Sequence, residues 1–251
     1  MIRTLLPAYA AGRESTRELT APALFEAERA EVADALPARR AEYATVRRLA
    51  RLCLADVGVP PAALVRDIHG APRWPAGTVG SLTHCRGYRA AAAARTRDAD
   101  GMGIDAEPCA PLPRRVLEGV TSAAERAHLA ELRAYRPGVP WCRVLFSAKE
   151  AYYKVWYPAM GSWLGFDDAE VVLRPGRDRG TFTVRPVPGG ARRVRRPDAA
   201  FDPAATGFPA LSGRWTARAD LVVTAITALA GSLPRRAQAG RTATGTLRCA
   251  Q

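Results

Sequence analysis

The chain has 251 residues, 48% of them hydrophobic and 24% charged, with a formal net charge of +13. That length supports one large domain or two small ones with a real core, and no apolar run is long enough to span a bilayer. The short apolar patch at the start, followed by polar residues, gives no expectation of a secretory signal. Cys53, Cys85, Cys109, Cys142 and Cys249 form no CxxC pair, so neither a zinc site nor a disulfide framework is expected and a reducing cytoplasm is the expected setting.

Residues 1–20 are expected to be poorly structured. From 21 to 57, Leu24, Phe25, Val32 and Leu36, then Tyr43, Val46, Leu49, Ala50, Leu52 and Cys53, recur at helical spacing. Pro37 divides this stretch into two helices, and Gly58 with Pro60-Pro61 ends the second. Residues 66–80 are rich in Gly and Pro and predict a loop. Across 81–97 the run Ala90 to Ala94 favours helix by propensity. The turn signal Asp98-Ala99-Asp100-Gly101, followed by MGIDAE, favours two strands instead. Residues 109–116 predict a proline-bearing connection. Thr121 or Ser122 caps a helix to about Tyr135, with Glu125 completing a capping box. A further helix over 140–157 stops before Pro158 and buries Trp141, Val144, Leu145, Ala148, Tyr152, Val155 and Trp156. Strands follow at 169–174 and 180–186, then at 213–218 and 221–229. Residues 187–207 predict a mobile loop and 232–251 a disordered tail. Each half has helices followed by a strand hairpin. The predicted fold is therefore α+β, a pseudo-twofold arrangement of two similar halves with helices on small antiparallel sheets.

The charge favours anionic partners, whether nucleic acid, phosphorylated metabolites or an acidic protein. No basic block interleaved with aromatics and no zinc-finger or RRM signature accompanies it. Of the 37 basic residues only Lys149 and Lys154 are lysines. A chain that uses arginine almost everywhere keeps, in one segment, a compact charge on a flexible stem.

Three constellations carry chemistry. In GIDAE (103–107), Asp105 and Glu107 share one face of a strand. They are either two solvated acids or ligands for a hard cation such as Mg²⁺. In FSAKEAYYK (146–154), Glu150 and Lys154 share one helix face among aromatics. They form either a surface ion pair or a partly buried site. In GSLTHCRG (80–87), small hydroxylated residues beside His84 suit a loop that approaches a phosphate, and an ordinary histidine in a turn is the alternative.

Taken in order, GSLTHCRGYRAA, GMGIDAEP, TSAAER and FSAKEAYYKVWYP resemble the Sfp-type 4'-phosphopantetheinyl transferases, in particular the EntD-like branch. RRAEYATVR (39–47), GAPRWP (70–75) and SGRW (212–215) extend the resemblance over about 36–229. It implies transfer of 4'-phosphopantetheine from coenzyme A to a serine of an acyl or peptidyl carrier protein, releasing 3',5'-ADP, with Mg²⁺ as cofactor. A role in secondary metabolism and a monomer that binds neither nucleic acid nor membrane are also expected. The two halves would be 1–104 and 105–231, the second carrying the metal and catalytic residues.

Carried over by position, the resemblance gives Asp105, Glu107, Glu150 and the Ala106 carbonyl to the metal. Glu150 becomes the candidate base, with Lys154 and Asp105 beside it as catalytic residues. Lys149 and Lys154 would contact the coenzyme A phosphates. Thr83 and His84 would bind its phosphates, His84 at the 3'-phosphate. Arg39 and Arg47 would lie at the adenosine end, with His69, Gly70, Ala71 and Pro72 lining the nucleotide. The family often places Lys or Arg where this chain has His69. A neutral imidazole is a weaker phosphate contact, and Arg66 is the candidate substitute. The rival readings are a basic nucleic-acid-binding protein and a magnesium nuclease.

Overall fold

The alanine run decides the layout of the N-terminal half. The computed structural model describes residues 1–19, 24–176, 178–187, 203–218 and 220–234. In it Ala90–Ala94 lie within β3 (Tyr88–Arg95), the middle strand of an antiparallel sheet between β1 (Ala11–Ser15) and β2 (Thr78–Cys85). All five alanines are fully buried. Ala91 and Ala93 face α2 (Pro37–Asp56) through Leu49, Ala50 and Cys53. Ala90, Ala92 and Ala94 face a second core with Ile2, Leu5, Leu6, Met102 and Ile104. A strand covered on both faces reads as a continuous apolar run, so packing overrides the helix propensity of alanine.

That second core corrects the expectation for residues 1–20. A 3-10 turn at Ile2–Thr4 and strand β1 form there, and Ile2, Leu5 and Leu6 plug the space between the two halves. The segment is too short to show a periodicity. The helical stretch divides as expected into α1 (Glu26–Ala30) and α2, with Pro37 opening the second where its missing N–H is not needed. Phe25 and Leu36 take N-cap positions and, like Leu52, are exposed rather than core.

The chain turns at 96–98, and β4 (Ala99–Pro108) does not pair back onto β3. It joins the second antiparallel sheet, order β4-β8-β7-β6-β5, with β5 (Ala169–Arg174), β6 (Arg179–Pro186), β7 (Leu211–Arg218) and β8 (Leu221–Leu229). The boundary expected at 104/105 falls inside β4, which pairs with β8 from Ala99↔Leu229 to Pro108↔Leu221. The connection includes a helix, α3 (Arg114–Val120). Helix α4 (Ala123–Tyr135) opens on the expected capping box, with Glu125 N–H donating to Ser122 Oγ (3.1 Å) and Ser122 N–H to Glu125 Oε2 (2.8 Å).

Helix α5 (Trp141–Met160) lies on the five-stranded sheet and buries the seven residues expected of it. It does not stop before Pro158. It gives up one hydrogen bond there and ends at Gly161, whose φ of 67° lets its N–H turn back to the Tyr157 carbonyl (2.8 Å). The 3-10 turn Pro203–Thr206 falls in the expected mobile loop, and residues 188–202 lie outside the described residues. Of the expected tail, 235–251 also lie outside them, while Leu233 is buried and donates its N–H to Asp100 Oδ2 (2.9 Å).

The halves meet along β2 and β4 without a backbone ladder. Serine and threonine hydroxyls fill the seam: Ile104 N–H donates to Ser81 Oγ (3.0 Å) and Ala106 N–H to Thr83 Oγ1 (3.0 Å). The fold is thus the α+β arrangement of two halves, α2 covering the first sheet and α5 the second.

Candidate active site

Gly103 fixes how closely α5 approaches β4. A Cβ there would lie 1.8 Å from the Ala151 carbonyl oxygen, so only glycine allows the contact. The close packing brings Lys154 across to β4. Its ammonium donates to the Ile104 carbonyl (3.0 Å) and to Asp105 Oδ1 (2.8 Å). The Glu150–Lys154 surface pair considered from spacing is therefore replaced by a Lys154–Asp105 pair between elements.

Asp105 is buried. Its Oδ1 also accepts from Thr83 Oγ1 (3.3 Å), while its Oδ2 is buried with no hydrogen-bond partner. Glu107 projects from the same face of β4 and pairs with Arg143 (3.0 Å). Burial, then the charge of Asp105, pushes the Glu107 carboxyl up to about 7, against the pull of Arg143. Burial and Asp105 likewise raise Glu150, against Lys154. The three acids therefore sense one another. Among the described residues no group of three His, Cys, Asp or Glu side chains forms a ready cation cage, so Asp105, Glu107 and Glu150 do not converge as a preformed ligand set. The Ala106 N–H faces the seam. Its carbonyl points to the same side, as both groups of one strand residue do.

Beside the acids opens a cleft of about 320 Å³ whose walls come from both halves. It takes Arg39, Arg47, His69, Gly70, Ala71, Pro72, His84, Glu150 and Lys154 from the expected site residues. The loop is shaped by Asp67, whose Oδ1 accepts the His69 and Ala71 N–H groups (2.9 Å each). Tyr157 of α5 donates to Asp67 Oδ2 (3.0 Å), and the His69 ring meets the Tyr157 ring edge-on at 5.5 Å. The Arg47 guanidinium lies 4.2 Å over the Tyr43 ring, and its Nε donates to the Leu64 carbonyl (2.7 Å). Arg66 also lines the cleft, its guanidinium tethered to Glu31 (3.1 Å).

His84 sits on β2, not on a loop as its motif suggested, and Gly87 makes the turn that follows. Its Nδ1 lies 3.1 Å from Glu42 Oε1 and its Nε2 3.1 Å from Arg39 NH1. A guanidinium only donates, so Nε2 accepts and Nδ1 carries the proton toward Glu42. Burial pushes His84 below the usual histidine value, helped by the Arg39, Lys154 and Arg89 charges and opposed by Glu42.

Besides Asp105, Ala106 and Glu107, which lie beside the cleft on β4, the expected residues Thr83 and Lys149 are off its wall. Thr83 faces the seam, where it holds Asp105 and the Ala106 N–H. Lys149 is buried, and its ammonium donates to Glu125 (2.9 Å) and to the Phe166 carbonyl (2.8 Å). It faces α4 and the 3-10 turn Phe166–Asp168 that precedes β5, not the cleft. Sequence reasoning missed Glu42, Tyr157 and Arg143. Each had a signal in helical spacing: Glu42 stands three residues after Arg39 on α2, Tyr157 three after Lys154, and Arg143 seven before Glu150 on α5.

Residues 27–94 match the 4'-phosphopantetheinyl transferase N-terminal domain, and residues 101–191 match the 4'-phosphopantetheinyl transferase superfamily. The chain is 47% identical to the 4'-phosphopantetheinyl transferase Svp of Streptomyces mobaraensis, over 97% of each chain. It is 40% identical to the 4'-phosphopantetheinyl transferase PptT of Mycobacterium tuberculosis, over 78% of this chain and 82% of that one. It is also 40% identical to the 4'-phosphopantetheinyl transferase Npt of Nocardia iowensis, over 90% of this chain and 99% of that one. These matches span both walls of the cleft, and the chain therefore belongs to the 4'-phosphopantetheinyl transferase superfamily, with transfer of a 4'-phosphopantetheinyl group as its activity.

Proposed function

We propose that the cleft binds coenzyme A and that Glu150 and Lys154 act on its pyrophosphate, moving the 4'-phosphopantetheine arm to a serine of an acyl or peptidyl carrier protein. The observation that carries this reading is the cleft itself. It sets the arginines and His84 of one half against Glu150 and Lys154 of the other. Family membership favours the transferase over a nucleic-acid-binding protein or a nuclease.

Mg²⁺ fits the acids. Asp105 Oδ2 is buried without a partner, and Glu107 and Glu150 are held above ordinary carboxylate values by burial and by Asp105. A divalent cation relieves both conditions, and oxygen ligands suit magnesium. Asp105, Glu107, Glu150 and the Ala106 carbonyl would hold it. Bound there, it would neutralise charge on the phosphoanhydride.

The chain's own residues do the rest. Glu150 accepts the proton of the carrier serine, directly or through a water. The serine oxygen bonds to the phosphorus that bears the pantetheine arm. The phosphoanhydride P–O bond breaks, and its electron pair leaves with 3',5'-ADP. Lys154, fixed on Asp105 and the Ile104 carbonyl, balances the charge that develops on the leaving phosphate. Arg39, Arg47 and the 69–72 loop hold the nucleotide, and His84 takes its 3'-phosphate. A net charge of +13 steers an acidic carrier toward the cleft. Both walls come from one chain, which supports a monomer. No helix among the described residues is long and apolar enough to cross a membrane.

The test is intact mass of an apo carrier protein after incubation with coenzyme A and Mg²⁺. Wild type is expected to add one phosphopantetheine to a serine. Glu150→Gln is expected to slow this by more than about 100-fold with an unchanged melting temperature. Loading at the wild-type rate would remove Glu150 from the mechanism.

A further inference from the structure

Glu42 has no part in the reaction above, yet it stands where Arg39, His84 and Arg89 meet. Its Oε2 accepts from Arg39 NH1 at 2.6 Å. Its Oε1 lies 3.1 Å from His84 Nδ1 and 3.6 Å from Arg89 NH2. These donors come from three elements, α2, β2 and β3, and one carboxylate gathers them. Arg39 and His84 are 44% and 41% exposed at their side chains, while Glu42 is 18% exposed. The acid therefore sits behind the donors, which face the cleft.

We infer that Glu42 is an internal surrogate for a phosphate: it holds Arg39 and His84 in position, and the terminal phosphomonoester of the nucleotide must compete with it for them. This rests on the reading that Arg39 and His84 receive the 3'-phosphate. A carboxylate and a phosphate seek the same N–H donors, and two anions around the same donors repel. Arg89 has a second counter-ion in Glu18, which is itself anchored by the Thr45 hydroxyl (2.9 Å). Arg89 thus remains paired when Glu42 is displaced. The arrangement lowers affinity for any ligand whose phosphate enters here, and it hastens release of the 3',5'-ADP product. A ligand without that phosphate does not meet the competition. Glu42 is a specificity and release residue that acts through Arg39 and His84.

The experiment is calorimetric titration of 3',5'-ADP and of 5'-ADP, in buffer containing Mg²⁺, into the wild type, Glu42→Gln and Arg39→Ala. Glutamine keeps the size and hydrogen-bonding capacity of the side chain and removes its charge. Glu42→Gln is expected to bind 3',5'-ADP about 5- to 10-fold more tightly and 5'-ADP within about twofold of wild type. The inhibition constant of 3',5'-ADP in the transfer assay should fall by the same factor. Unchanged or weaker binding of 3',5'-ADP by Glu42→Gln overturns the inference. Weakened binding of both nucleotides overturns it too, because Glu42 would then only prop the site. Arg39→Ala tests the underlying reading separately and is expected to lose the preference for 3',5'-ADP over 5'-ADP. If that preference persists, the phosphate does not lie on Arg39, and the placement of the 3'-phosphate falls first and the surrogate with it.

Discussion

His84 shows how much of a residue's role comes from its neighbours. Its motif pointed to a phosphate, but not to the neutral ring that the structure gives it. Burial and the nearby cations hold it below the ordinary histidine value. In the folded state it therefore binds fewer protons than in the unfolded chain, where its value is about 6.5. The stability it contributes is present above that value and is lost as pH falls through the folded value. Thermal melting across the acid side of neutrality checks this. The wild-type melting temperature is expected to fall more steeply below about pH 6.5 than that of His84→Gln. Parallel curves would mean that the ring is not held neutral. The site acids were the most legible residues, because Asp105 and Glu107 alternate correctly on any strand. The partner of Lys154 was not legible. Spacing within a helix pointed to Glu150, and only the close packing at Gly103 brings Asp105 nearer.

Among the elements, those legible in the sequence carry their own local signal. The capping box started α4, Pro37 started α2, and the turn residues separated the strands of the C-terminal half. Where sequence and structure part, packing between distant segments decided. The alanine strand is set by layers on both its faces, and β1 by pairing with β3 across a long stretch of chain. Lys149 belongs to this group. Its rarity suggested a ligand contact, but it ties α5 to α4 through Glu125, which also caps α4 and accepts the Val171 N–H of β5 (2.9 Å). Lys149→Met leaves Glu125 buried and without its cation, which is expected to cost about 3–5 kcal/mol in urea unfolding. The transfer rate of the folded fraction should stay within a few-fold of wild type. A normal unfolding curve with lost activity would instead return Lys149 to the proposed coenzyme-binding residues.

At the scale of the whole molecule, the acids and the cleft beside them are placed by the seam between halves. Sheets that share an edge normally join by a backbone ladder, and a ladder there would have fixed β2 against β4 with no side chain involved. Ser81 and Thr83 supply the acceptors instead, and Thr83 also donates to Asp105. The same hydroxyl therefore joins the halves and steadies an acid of the site. This explains why residues far apart in sequence read as a single motif set, and why a boundary drawn at 104/105 cut through the strand that does the joining. Thr83→Val keeps the side chain's shape and removes that hydroxyl. It orphans a buried N–H, which is expected to cost about 1–3 kcal/mol, and it frees Asp105 from one of its two side-chain partners. Transfer should slow as well, by about tenfold or more, because the acid is less firmly placed. Thr83→Ser keeps the hydroxyl and should recover most of both stability and rate. Urea unfolding and carrier loading measured on the two variants settle the point: if Thr83→Val matches wild type in both, the seam hydroxyls do not hold the acids against the cleft.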